Sequence, residues 1–201
     1  VRVERHQRDF RVARSGNASE HVAITAGRGT YVYLVYPINH ARVIAEWGPS
    51  LWVQADRPGM QLMARVVLPR TQDPRTGAPL TTLLRGDIYD RLGAWQQLWI
   101  HRPDQLLERQ VRSLRSQFGP DIDAREAYVD MIVLNAYGGV GTCQLWMDDL
   151  EIRGQVPATS PTALDQSDSP NGAMPPGDDL IASLPRPGSV EVKLSGSVLT
   201  V

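Results

Sequence analysis

The 201-residue chain carries 21 basic and 22 acidic residues for a formal net charge of -1, and its 42% hydrophobic residues suffice for one substantial core. Near-neutrality argues against nucleic acid or an anionic membrane surface as the main partner, because both reward a basic excess. No run approaches the ~20 apolar residues of a membrane span, and a single cysteine, Cys143, rules out a disulfide within the chain.

In chain order, residues 2–14 interleave charge with Val3, Phe10 and Val12, as an edge strand protected by charge does. Residues 20–26 and 30–36 alternate as strands, the second dense in aromatic and β-branched side chains and closed by Pro37. A shorter strand is expected over 41–46. Residues 50–56 put Leu51, Val53 and Ala55 on one face and Trp52, Gln54 and Asp56 on the other. After Pro58 and Gly59, apolar residues fill every even position from Met60 to Leu68, which predicts a half-buried strand. Residues 69–79 are rich in turn formers and predict a surface loop before a short strand at 80–85.

Residues 94–101 form the next expected strand, with Trp95, Gln97 and Trp99 on one side and Leu98 and Ile100 on the other. The period then changes. Leu106, Leu107, Val111, Leu114 and Phe118 recur at helical spacing, so one helix is predicted from Pro103 to Phe118, stopped by Gly119 and Pro120. Its arginines, Arg109, Arg112 and Arg115, read as a solvated face.

Residues 127–154 read as two strands joined by a tight, glycine-rich reversal at Gly138, Gly139 and Gly141. Unbroken alternation puts Trp146, Asp148, Leu150 and Ile152 on one face, and that face looks toward the core. Asp148 then needs a cation or several donors, since an unpaired buried charge costs several kcal/mol, on the order of. Residues 155–188 shift to Pro, Ser, Thr, Asp and Gly and predict a disordered linker. Residues 189–201 alternate around Ser195 and Gly196 as a short β-hairpin does.

An enzyme needs a constellation of catalytic residues, and none stands out in this pattern. Asp148 and Asp149 are adjacent, so on a strand they point to opposite faces and cannot flank one scissile bond. His6, His21, His40 and His101 fall in different elements, and Cys143, with no neighbouring histidine, reads as packing. Sugar binding asks for flat aromatic faces with polar side chains between them. Trp95, Gln97 and Trp99 have that arrangement along one strand, Trp52 and Gln54 offer a second contribution, and Tyr128 and Asp130 join if they share the same concave face. The competing reading is core packing, to which Trp95 is assigned first.

An apolar strand ending in a bulky residue and Asp148-Asp149-Leu150-Glu151-Ile152 resembles the last strand of carbohydrate-binding-module-like (galactose-binding-like) jelly rolls, where such an acidic pair closes the domain near a structural calcium. The resemblance implies an all-β, antiparallel jelly-roll β-sandwich over residues 1–154 with one inserted α-helix. It implies a non-catalytic accessory module of a secreted or cell-surface protein, with polysaccharide or glycan as partner. Asp148 would then hold calcium, the alternative being a salt bridge to an arginine. The terminal hairpin resembles the opening of a glycoside-hydrolase barrel, so residues 189–201 are expected to begin a following domain. The rival reading is a purely structural domain that packs against that barrel and binds no sugar.

Overall fold

A computed structural model of the chain describes residues 1–154 and the backbone of 191–195. Among the described residues there are ten strands and one helix: β1 (Arg2–Asp9), β2 (Ser19–Ala26), β3 (Tyr31–Arg42), β4 (Gly48–Ala55), β5 (Gln61–Gln72), β6 (Pro79–Ile88), β7 (Gln96–Trp99), α1 (Pro103–Phe118), β8 (Tyr128–Asn135), β9 (Gly141–Arg153) and β10 (Glu191–Ser195). They assemble into two five-stranded sheets, ordered β1-β2-β9-β4-β7 and β10-β3-β8-β5-β6. Among the described strands every pairing is antiparallel except that of β10, which runs parallel to β3.

With β1 and β10 set aside as additions at the edges, β2 to β9 lie in the orders β2-β9-β4-β7 and β3-β8-β5-β6. This is the double-Greek-key arrangement of a jelly roll, in which successive strands cross between two packed sheets. The core fills the space between them with residues from alternate positions, among them Val22, Ile24, Leu51, Val53, Leu62, Ala64, Leu98, Ile132, Leu134, Leu145 and Met147. Helix α1 follows the predicted bounds, buries Leu107, Val111 and Leu114, and packs beside β6.

Four local expectations change. The strand at 30–36 does not stop at Pro37 but continues to Arg42, because the register shifts between Pro37 and Ala41 and the missing proline N–H falls in that irregularity. The loop at 69–79 shrinks to residues 73–78, since β5 and β6 extend past Pro69 and from Pro79 as a long hairpin. The glycine-rich stretch is no hairpin: β8 and β9 lie in different sheets, so residues 136–140 arch from one to the other, with Gly139 at φ 103 and Gly141 at φ 102. Of the predicted terminal hairpin, residues 191–195 form the edge strand beside β3, while 197–201 and the linker at 155–188 lie outside the described residues.

Candidate functional site

The outward face of the β1-β2-β9-β4-β7 sheet collects most of the predicted sugar-contact residues. In β4, Leu51 and Val53 go to the core, so Trp52 and Gln54 face out; in β7, Leu98 goes in and Gln97 and Trp99 face out. Register then sets their neighbours. Trp52 stands between Gln97 of β7 and Asp148 of β9, Gln54 stands opposite Trp146, and Trp99 stands opposite Ser50. Trp99, Trp52 and Trp146 are therefore successive diagonal neighbours across three strands, roughly 7–8 Å apart from one to the next. All three are half-buried, and Gln97 further donates to the Ser50 hydroxyl at 3.2 Å.

Trp95 precedes β7 and is half-buried, outside the core to which it was first assigned. The core tryptophan is Trp47, 1% exposed.

Trp146 was placed by alternation on the core side together with Asp148, Leu150 and Ile152. The structure corrects this. Between β4 and β9, Ser50 pairs with Glu151 but Trp52 pairs with Asp148, so one extra residue is inserted, and Asp149 there adopts φ 49. The phase inverts across this bulge. Leu150 and Ile152 pack on the core, while Trp146 and Asp148 turn outward.

Asp148 is nevertheless buried, at 7% exposure, because the segment after β1 crosses above it. Its Oδ2 accepts the backbone N–H of Arg14 at 2.8 Å and of Ser15 at 3.2 Å, and its Oδ1 accepts the Asp149 N–H at 2.9 Å. The Ser15 hydroxyl donates to Asp149 Oδ1 at 2.7 Å. Converging N–H dipoles suit a fixed anion and oppose a cation, so this donor set does not fit the expected calcium. Among the described residues no arginine side chain pairs with Asp148 either; its partners are main-chain amides. Among the described residues no cluster of three or more His, Cys, Asp or Glu side chains gathers to hold a metal.

The same crossing segment reaches the tryptophans. The Arg14 guanidinium lies 4.2 Å from the Trp52 ring centroid, and that of Arg153 lies 4.7 Å from the Trp99 ring. Trp146 stacks on His21 at 4.4 Å and 7°, and its indole N–H donates to Asp9 at 3.0 Å. That bond, with the Arg11 amide, holds the Asp9 carboxyl below its ordinary range. Burial pulls His21 below its ordinary value, with Arg5 adding to the shift and Asp9 opposing it. On the core side of β9, burial pushes the Cys143 thiol up to about 12, which makes it an inert packing group.

Tyr128 and Asp130 do not join this face, because β8 belongs to the other sheet and its outer side looks the opposite way. There Arg65 grips Asp130 with both ends of its fork, at 2.9 and 2.5 Å, and Tyr128 stacks on His40 at 3.9 Å. Arg65, Asp73, Thr81, Tyr128 and Asp130 line a pocket of about 210 Å³. The residues that sequence reasoning missed, Arg14, Arg153, His21 and Arg65, gain their roles from partners remote in the chain.

No protein-family model matches the sequence, and no curated protein matches it. Among solved structures, the chain is similar at 12% identity to a family 30 carbohydrate-binding module, with a TM-score of 0.46 over 79% of this chain and 80% of that one. It is also similar, at 12% identity and a TM-score of 0.42, to the family 30 carbohydrate-binding module of a cellulosomal cellulase of Clostridium thermocellum, over 76% of this chain and 86% of that one. A structure described under the heading of CBM4 structure and function gives 12% identity and a TM-score of 0.35 over 68% of this chain and 84% of that one.

Proposed function

We propose that this chain is a non-catalytic glycan-binding module, an accessory part of a secreted or cell-surface protein, that receives polysaccharide on the outward face of the β1-β2-β9-β4-β7 sheet. One observation carries the reading. Trp52, Trp99 and Trp146 stand on the solvent side of a sandwich whose core is built mainly of Leu, Val, Ile, Ala and Met, with Trp47, Tyr36 and Tyr89 as its aromatic members. A large apolar ring on the outer face of a sheet is poorly placed for stability and well placed for contact, because its flat surface matches the C–H face of a pyranose. Gln97 and Gln54, beside Trp52 on the same face, present amide donors and acceptors of the kind that fix sugar hydroxyls. The expected extension of this face to Tyr128 and Asp130 is dropped, since they lie on the other side of the sandwich.

Affinity electrophoresis through gels cast with neutral and acidic soluble polysaccharides tests the reading. Retention of the parent by at least one glycan, with a weakening of roughly tenfold in Trp52→Ala and Trp99→Ala, is expected from the loss of one aromatic contact each. A parent that no glycan retards would favour the rival in which the domain only packs against a neighbour, and a retarded parent whose variants migrate as it does would move binding to another face.

A further inference from the structure

The tryptophans of this face do not stand bare. Arg14 lies over Trp52 at 4.2 Å and Arg153 over Trp99 at 4.7 Å, and both arginines are exposed. What meets an arriving ligand is therefore a guanidinium backed by an indole. The nearby acids are already engaged. Asp148 is buried under three main-chain amides, Asp149 accepts from Ser15, Asp9 accepts from Trp146, and Glu151 pairs with Arg153 at 3.0 Å. The Arg14 guanidinium, by contrast, has no carboxylate within ion-pairing distance among the described residues; only its backbone N–H serves Asp148.

A guanidinium seated over a ring keeps N–H groups available for a further partner, and their fork matches a carboxylate or a sulfate in a way that a sugar hydroxyl does not use. Resting on the glycan-binding reading above, we infer that the glycan is acidic, bearing uronate carboxylates or sulfate esters, and that Arg14 on Trp52 is the residue that selects it. Trp52 holds the arginine in place, and Gln97 beside it takes hydroxyls. Arg153 is the weaker contributor, because Glu151 already occupies part of its fork.

Titration calorimetry on the full chain tests this, with oligogalacturonate, a sulfated galactan oligosaccharide and a neutral galactan oligosaccharide of matched length. Arg14→Gln removes the charge yet keeps the backbone amide that Asp148 accepts, so the fold is retained. The parent is expected to bind at least one acidic oligosaccharide roughly tenfold tighter than the neutral one at low salt, with the gap closing as salt screens the exposed charge. Which of the two acids binds more tightly assigns the anion. In Arg14→Gln the gap should vanish while the neutral affinity persists. Equal binding of acidic and neutral chains by the parent, or an acid preference that survives in Arg14→Gln, overturns the selectivity and leaves the glycan-binding reading standing. Binding of none of the three, with no retention in the gels, overturns both.

Discussion

His21 lies flat on Trp146, is 2% exposed, and has neither ring nitrogen hydrogen-bonded; its nearest acid, Asp9, is 3.8 Å away. A buried imidazole without partners is tolerated when neutral and resisted when charged. Its folded value therefore falls below the ordinary 6.5, with burial the first cause. In the window just below 6.5 the unfolded chain binds a proton that the folded chain refuses. Stability attributable to His21 is accordingly full above 6.5 and declines as pH drops through that value toward the lower folded one. Melting curves should show Tm falling from pH 7 to pH 5 in the parent, and a flatter dependence in His21→Phe, which keeps a ring on Trp146 and removes the titration. An unchanged pH slope in that variant would mean that His21 takes up its proton equally in the folded and unfolded chain, so that burial does not shift it.

At the level of elements, β9 shows how far periodicity reaches and where it fails. Alternation set Leu145 and Met147 on the wrong side, the burial of Asp148 comes from the segment after β1, and only the existence of the strand follows from the pattern of apolar residues. The bulge at Asp149 does not, because a single inserted residue leaves no mark in composition yet inverts every side chain beyond it. A second irregularity, where Arg65 pairs with Met131 but Val66 pairs with Val129, breaks the phase of β8 in the same way. The bounds of helix α1 were legible because its Pro103 start, its Gly119 stop and its 3.6-residue period are local, though Phe118, expected on the apolar face, is exposed. The clasp over β9 was not, since it depends on Arg14 and Ser15, more than a hundred residues earlier. Asp148→Ala strips three partly buried amides of their acceptor, and chemical denaturation should show a loss of about 1–3 kcal/mol. The parent's Tm should be the same with and without a calcium chelator. A chelator-induced fall would restore the metal to this site.

For the whole molecule, the jelly roll was readable from many short alternating segments and a lone helix, but the division of strands between sheets was not. Crossings between sheets are fixed by long-range pairing, and for that reason β8, adjacent in sequence to β9, carries Tyr128 and Asp130 to the opposite side from Trp52 and Trp99. What remained after that division is a face built from β7, β4 and β9, with β2 and the segment after β1 supplying His21 and Arg14. The central claim is that this face, and no other, meets the glycan. Five tryptophans give five indole N–H signals, assignable by single replacements, and Trp47 in the core is an internal reference. Titrating the ¹⁵N-labelled chain with a glycan that retards it in gels should shift Trp52, Trp99 and Trp146 together and leave Trp47 in place. A retained glycan that moves none of those three would place binding elsewhere and contradict the account.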